Sequence, residues 1–322
     1  LGVHLKLLWA LKFIKRLVRN SLLAIGIDIG GTKILGGLVD SAGNVVSEIR
    51  KPSPAQDPDR MVEVVVEMIS ELTELATDVI VGVGVAAAGF IDADQATILY
   101  APNLNWRNEP LRQRLQALVP HPVVIENDAN AAGWAEYKFG AGRGSKDMVM
   151  LTLGTGVGGA VVSDYKLRRG GFGIGGELGH VRVVQDGKLC GCGRKGCVEQ
   201  YASGTAVLKA AKKLAAGDGP AGERLRQLKE EKGELDGHAV YQALLEGDQA
   251  VIGLFRDAGR YLGQAMGTLT AVLDPQIYVI GGGLSEAGDW IIEPIREGFL
   301  NDLPARGFRP EAKIVTAQFT NQ

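Results

Sequence analysis

The sequence predicts an α/β protein made of two related lobes. The chain has 322 residues, more than one core usually holds, so about two domains are expected. Apolar runs with the character of strands lie before and after a segment whose apolar residues have helical spacing. The pattern of residues 27–40, IDIGGTKILGGLVD, also recurs at 151–164 as LTLGTGVGGAVVSD. Each copy has an apolar strand, a glycine turn, a glycine-rich strand and a closing Asp, which indicates two lobes that begin alike.

The elements of the first lobe follow from local patterns. LLAIGIDI reads as a strand that meets the turn GGTK, and ILGGLVD and VVSEI complete a β-meander. Apolar spacing predicts a helix over 59–76. VIVGVGVA has few polar residues and predicts a buried, central, parallel strand. VVIEND is a further strand, whose last residues enter a loop before a helix that starts near Ala129.

The glycine turns carry polar side chains that a simple turn does not need. The first turn adds the Asp28 carboxylate, the Thr32 hydroxyl and the Lys33 ammonium to exposed backbone N–H groups, and the second adds Thr155. Such sets can hold phosphate and Mg²⁺. Turn chemistry alone is the alternative, since glycine supplies positive φ without steric cost.

Two known nucleotide motifs do not account for these glycines. GTGVGG matches G-x-G-x-x-G, but AVVSD continues as a strand where a dinucleotide-binding motif requires a helix. No G-x-x-x-x-G-K-[ST] is present, so the chain is not a P-loop enzyme. A third cluster, 281–283, follows the strand QIYVI at a place suited to a nucleotide.

Three cysteines and a histidine form the strongest local signal. The three cysteines of the chain all fall between 190 and 197, and His180 precedes them. Three thiolates and an imidazole satisfy tetrahedral Zn²⁺ with no open position, which is typical of a structural site. The alternative is ordinary buried cysteines. A zinc-fixed loop would also hold Glu177 and Glu199 in defined positions.

Asn127 and Asp128 lie between a buried strand and a helix. One interpretation is a helix N-cap, for which both residue types are favoured. The other is a catalytic pair, in which the amide holds a sugar hydroxyl and the carboxylate accepts its proton. The fragment alone leaves both open.

Charge and the N-terminal segment exclude some classes of function. Five cations and no acid precede Asp28, so the rest of the chain has 30 basic and 37 acidic residues, and nonspecific DNA binding by that body is not expected. Residues 1–21 have the pattern of a basic amphipathic helix, too polar to span a membrane, and we expect either a non-native extension or a surface anchor. The clustered cysteines and the lack of a signal peptide predict a cytoplasmic protein.

Five motifs together resemble the ROK family of sugar kinases and sugar-responsive repressors, and most closely its bacterial ATP-dependent glucokinases. They are D-I-G-G-T-K at 28–33, E-N-D-A-N at 126–130, L-G-T-G-V-G-G at 153–159, G-E-L-G-H at 176–180 and C-G-C-G-R-K-G-C-V-E at 190–199. The resemblance implies a two-lobed actin-like, ribonuclease-H-like ATPase fold. It places 22–125 and 304–322 in a small lobe and 126–303 in a large lobe with the zinc site.

The resemblance also implies a role for each candidate residue. Asp128 would be the general base for the C6 hydroxyl of a hexose, and Asp28 would help to hold Mg²⁺. ATP would meet the glycine turns and the third glycine cluster, through Gly30, Gly31, Thr32, Lys33, Thr155, Gly156, Gly282 and Gly283. Sugar hydroxyls would meet Asn103, Asn127, Asp128, Glu177, His180 and Glu199. Structural Zn²⁺ would be held by His180, Cys190, Cys192 and Cys197.

The expected activity is therefore ATP-dependent phosphorylation of a hexose, with glucose the first expectation. Mannose, fructose or N-acetylmannosamine as substrate, or polyphosphate as donor, are alternatives within the family. A sugar-sensing regulator without catalysis is another, although it would need a winged-helix domain before the first strand. By resemblance we expect a homo-oligomer, dimer or tetramer, with no nucleic-acid partner.

Overall fold

The computed structural model describes residues 22–319 and divides into two compact units. The first comprises the described residues up to Ala131 together with Gly170–Ile174, and the second comprises Ala132–Arg169 and the described residues from Gly175 onward. The predicted amphipathic segment 1–21 lies outside the described residues.

The first unit is built on a five-stranded sheet with one long helix. Its elements are β1 (Leu23–Ile29), β2 (Lys33–Asp40), β3 (Val45–Pro52), α1 (Pro58–Leu75), β4 (Ile80–Ala87), β5 (Phe90–Ile91), β6 (Ile98–Ala101), β7 (Trp106–Glu109), α2 (Leu111–Gln116), β8 (Val123–Asn127) and the start of α3 (Asp128–Phe139). The main sheet has the order β3-β2-β1-β4-β8, and β5, β6 and β7 form a small antiparallel sheet.

Helix α1 packs its apolar stripe on one face of the main sheet. It begins where Asp57 accepts a hydrogen bond from the Arg60 N–H at 3.0 Å, with Pro58 in the first turn. Met68 and Leu72 lie against the backbone of Gly36 on β2, where a side chain would crowd them. The core of this unit therefore lies between α1 and the sheet, as the spacing over 59–76 predicted.

The second unit repeats the first sheet and adds helices. Its elements are the rest of α3, β9 (Met148–Leu153), β10 (Val157–Ser163), β11 (Lys166–Leu167), α4 (Glu199–Ala202), α5 (Gly204–Ala216), α6 (Glu223–Lys232), α7 (Gly237–Leu245), α8 (Gln249–Leu273), β12 (Ile277–Gly281), α9 (Asp289–Asp302) and β13 (Lys313–Thr316). The sheet order is β11-β10-β9-β12-β13.

The two main sheets share one topology. In each, the first three strands in sequence order pair antiparallel, and two later strands add in parallel on the other side of the first strand. The predicted recurrence of 27–40 at 151–164 thus corresponds to β1–β2 and β9–β10. The α/β class predicted from the sequence is confirmed.

Three expectations about the fold are corrected. Residues 126–131 and 170–174 were expected in the large lobe, yet they lie in the first unit. Residues 304–322 were expected in the small lobe, yet Lys313–Thr316 pairs in parallel with β12 and lies in the second unit. Strand β4 is central and parallel, as predicted, but it is buried on one side only. Its other face carries small residues, Gly82, Gly84 and Ala86, which stay partly exposed within the described residues.

Between residues 22 and 319, no helix is long and apolar enough to cross a membrane.

Candidate active site

Two carboxylates lie at one edge of the first unit's main sheet. Strands β1, β4 and β8 are parallel, so their carboxyl ends meet at the same edge. Asp28 is next to last in β1, and Asp128 directly follows β8 as the first residue of α3. This edge is where open α/β sheets bind ligands.

The local environment raises the pKa of both carboxyls. Both side chains reach solvent, yet protein atoms surround them closely enough that desolvation is the largest cause for each. The negative charge of Asp128 raises the pKa of Asp28 further, while Lys33 opposes this. For Asp128, the opposing effect is hydrogen bonding, including a 2.9 Å bond from the Ala129 N–H. A carboxyl whose ionisation is disfavoured by a neighbouring carboxylate is well suited to share a cation or a proton with it.

Asn127 acts as the cap of helix α3. Its side-chain oxygen accepts a hydrogen bond from the Asn130 N–H at 3.0 Å, and its amide donates to the Gly89 carbonyl at 3.1 Å. The capping interpretation of Asn127 therefore holds. An amide group has two N–H donors, so the second remains for a ligand.

Glu126 fixes the backbone immediately before the candidate base, a role that its position in the sequence does not reveal. Its Oε1 accepts hydrogen bonds from the Asn127 N–H at 3.0 Å and from Asn130 Nδ2 at 3.2 Å, and its Oε2 accepts one from Gln95 Nε2 at 3.1 Å. Glu126 stood inside the E-N-D-A-N motif, but its partner Gln95 is distant in the sequence. No local pattern connects the two.

The first glycine turn also lies at this edge. It joins β1 to β2, and the Gly30 N–H donates to the Lys33 carbonyl at 3.0 Å. The turn residues Gly31 and Thr32 are exposed, and the backbone of Asn103 approaches Gly31. The structure thus brings Asp28, the turn, Asn103, Asn127 and Asp128 together within the first unit.

The second glycine turn and the third glycine cluster are neighbours in the second unit. The turn joins β9 to β10, and the Gly154 N–H donates to the Gly156 carbonyl at 3.0 Å. Gly282 follows β12, the parallel neighbour of β9, and adopts a φ of +84° where a side chain would strike the backbone of Leu153. Backbone N–H groups at the carboxyl ends of adjacent strands can receive phosphates.

The four predicted metal ligands converge in the second unit. Their ligand atoms all lie within 4.8 Å of one another. The Cys192 and Cys197 sulfurs are 3.6 Å apart, as are Cys190 Sγ and His180 Nδ1. A tetrahedral Zn²⁺ with Zn–S bonds of about 2.3 Å and a Zn–N bond of about 2.0–2.1 Å requires S–S separations of about 3.8 Å and S–N separations of about 3.5–3.6 Å. The cluster thus has the ligands of a structural zinc site, and these two pairs lie close to its spacing.

Two of the three thiols hold their protons more firmly than an ordinary cysteine when no cation is bound. Burial, and then hydrogen bonds that the protonated Cys197 thiol makes with the neighbouring thiols, raise the pKa of Cys197 to about 12. Burial likewise raises the pKa of Cys190. A metal ion would convert these protonated, crowded thiols into thiolate ligands.

The polar groups predicted to meet sugar in this unit either belong to the metal cluster or lie beside it. His180 turns Nδ1 toward Cys190, while its Nε2 lies 3.8 Å from a carboxylate oxygen of Glu177. Glu199 begins α4, two residues after Cys197. That one ring nitrogen of His180 serves the metal and the other a sugar hydroxyl stays a prediction.

Comparisons with known proteins identify the protein family that the chain resembles. The model of the ROK family matches residues 24–322. A glucokinase from Streptomyces coelicolor is 42% identical over 303 residues, covering 93% of this chain and 94% of the relative. The N-acetylmannosamine kinase from Escherichia fergusonii is 33% identical, covering 92% and 98%. Among solved structures, a ROK family glucokinase from Streptomyces griseus in complex with glucose and AMPPNP is 41% identical, covers 92% of this chain and 95% of that chain, and has a TM-score of 0.82.

The chain belongs to the ROK family, as the five motifs indicated. Its two units carry the mixed α/β fold of ROK kinases.

Proposed function

We propose that the protein is a hexose kinase that transfers the γ-phosphoryl group of ATP to the C6 hydroxyl of glucose. The observation that carries the proposal is the pair of carboxylates at the ligand-binding edge of the first sheet, Asp28 and Asp128. The glucokinases among its relatives support glucose as the substrate.

Asp128 is the general base in this proposal. Its carboxylate accepts the proton of the C6 hydroxyl as the oxygen attacks, and its raised pKa makes it a better proton acceptor than an ordinary aspartate. Because phosphoryl transfer has a loose transition state, alignment of the hydroxyl matters more than the strength of the base. The hydrogen bonds of Glu126 and Asn127 provide that alignment by fixing the start of α3.

The remaining polar residues bind the two substrates. In the first unit, Asn103 and the second N–H of the Asn127 amide meet sugar hydroxyls, and in the second unit Glu177, His180 and Glu199 do so. Backbone N–H groups of the turns at Gly30–Lys33 and Thr155–Gly156 hold phosphates, with Gly282 and Gly283 beside the adenosine.

Two metal ions have separate tasks. Asp28 would hold Mg²⁺, which neutralises charge on the transferring phosphates when it is bound. His180 and the three cysteines would hold Zn²⁺, whose task is structural because four protein ligands leave it no open position. Carboxylate oxygens suit the first ion, and thiolates with imidazole suit the second.

A substrate panel tests the proposal. We expect ADP release from ATP and Mg²⁺ to be fastest with glucose, when compared with mannose, fructose and N-acetylmannosamine, and polyphosphate to be a poor donor. A faster rate with N-acetylmannosamine would replace glucose as the substrate. No sugar-dependent ADP release with any hexose would refute the kinase.

The variant Asp128→Asn tests the assigned base. Asparagine keeps the shape of the side chain but cannot accept the proton, so we expect kcat to fall by about 10²–10⁴ while the Kd for glucose, measured by calorimetry, changes little. A kcat near that of the wild type would show that the base is elsewhere.

A further inference from the structure

Glu199 contacts the second glycine turn directly. Its Oε2 accepts a hydrogen bond from the Val157 N–H at 3.2 Å. The same oxygen lies so close to Gly156 that a side chain there would collide with it. The carboxylate therefore packs against the part of the turn that is proposed to receive phosphate.

The same carboxylate faces the metal cluster. Its other oxygen lies 3.8 Å from Cys190 Sγ, and Glu199 follows the ligand Cys197 by two residues. The intervening Val198 is fully buried, and its N–H donates to the Val181 carbonyl at 2.8 Å, next to the ligand His180. The segment between the metal ligand and Glu199 is thus held on both sides.

A second hydrogen bond fixes the other end of the turn. Helix α4 ends at Ala202, and the Gly204 N–H donates to the Gly154 carbonyl at 2.8 Å. The short segment after Cys197 therefore holds the turn at both its entry and its exit. Such fixed donors and acceptors reduce the reorganisation that phosphate binding would require.

We propose that Glu199 is a positioning residue that couples the zinc site to the turn 154–157, so that zinc loading sets the affinity for nucleotide. The inference rests on the proposed function, and it adds to the sugar contact that the family resemblance gives Glu199. With zinc bound, Cys197 is fixed and the carboxylate holds Val157. Without zinc, the segment 197–204 loses the anchor at Cys197, and the carboxylate holds the turn less firmly.

Nucleotide affinity in the absence of sugar separates this role from a sugar contact. The zinc-loaded wild type and its variants are titrated with AMPPNP and Mg²⁺ by calorimetry. We expect Glu199→Ala to raise the Kd about tenfold, because it removes a hydrogen bond to a charged group. Glu199→Gln keeps an acceptor for Val157 and removes a charge near the phosphates, so it should bind AMPPNP at least as tightly as the wild type.

Gln200→Ala is the matched control. Gln200 is on the same helix turn, and its amide lies 3.8 Å from Cys190 Sγ, but it makes no hydrogen bond to the glycine turn among the described residues. We expect its Kd to stay within twofold of the wild type. A Glu199→Ala protein that also stays within twofold would overturn the inference. Loss of zinc from that variant would overturn it too, since the carboxylate would then be holding the metal.

Amide exchange supplies a readout that needs neither sugar nor nucleotide. Exchange at Val157 should accelerate in Glu199→Ala, remain slow in Glu199→Gln, and accelerate in the wild type when zinc is removed with a chelator. Unchanged exchange after chelation would refute the coupling. A wild type that binds no AMPPNP would refute the proposed function instead, and the exchange at Val157 would still decide whether zinc controls the turn.

Discussion

Gly179→Ala should release the zinc by moving a ligand, although it changes no ligand atom. Gly179 is buried in the short helical turn 178–180 that ends at His180, and it lies against the Val157 carbonyl of β10. A methyl carbon there would lie more than 1 Å closer to the Val157 carbonyl oxygen than the distance of about 3.4 Å at which ordinary van der Waals contact begins. The obstacle is strand backbone that is paired with β9, so the turn must move instead.

The displacement of His180 sets the size of the effect. The turn must shift by about 1 Å, whereas zinc ligands tolerate deviations of about 0.2 Å. We expect the zinc affinity to fall at least tenfold and kcat to fall about a hundredfold, the cost typical of a 1 Å misplacement near a site.

The assay is competition for zinc with a chromophoric chelator, followed by the rate of glucose phosphorylation. Gly191→Ala is the matched control, because Gly191 lies between two zinc ligands and an added methyl would meet nothing within 4 Å. It should keep the zinc and the rate. If Gly179→Ala held zinc as tightly as Gly191→Ala, the argument that backbone packing positions His180 would be refuted.

Four further predictions follow from the described contacts. The acid limb of the pH profile of kcat/KM should have a pKa above 3.8, the ordinary value for aspartate. The reason is that the pKa of Asp128 is raised, and activity is lost as the pH falls and this base is protonated. An acid-limb pKa at or below 3.8 would contradict this. Glucose should slow amide exchange over 175–180 but change 170–174 less, since Gly173 already packs on the backbone of 91–93; equal exchange with and without glucose would exclude ordering by sugar. Cys192→Ser should lower the zinc content below one per chain and lower the Tm, which metal analysis and calorimetry would check. Tyr278→Phe should lower the free energy of unfolding by about 1–2 kcal/mol, measured by denaturant titration, because it removes a buried hydroxyl that bonds Thr270 and the Met266 carbonyl.

Patterns that are local in the sequence predicted the site well. The zinc ligands lie within 18 residues of one another and meet in space as expected. The glycine turns form at 30–32 and 154–156 because their flanking strands are apolar and pair across the turn. In both cases a few neighbouring residues contain the whole signal.

Contacts between distant residues were not predictable in the same way. Glu126 and Gln95 stabilise the start of α3 together, yet they are 31 positions apart. Glu199 and Val157 are 42 positions apart. The sequence placed both acids in motifs, but a motif does not say which backbone N–H a carboxylate will accept from, because that depends on how the strands and loops pack.

The repeat within the chain explains why residues 304–322 belong to the second unit rather than to the small lobe. It also shows how the sequence could have predicted this. In the first sheet, a meander of three strands is followed by β4 and then β8, both parallel to β1. A second copy of this topology needs two parallel strands after β9–β11, and β12 provides only one. The strand Lys313–Thr316 completes it. The two copies differ in chemistry at equivalent places, since Asp28 is matched by Thr152, and Thr32 and Lys33 by Gly156 and Val157. The first turn therefore has a carboxylate and an ammonium, which suit Mg²⁺ and phosphate respectively. The second turn has mainly backbone N–H groups, and their orientation depends on contacts with neighbouring segments.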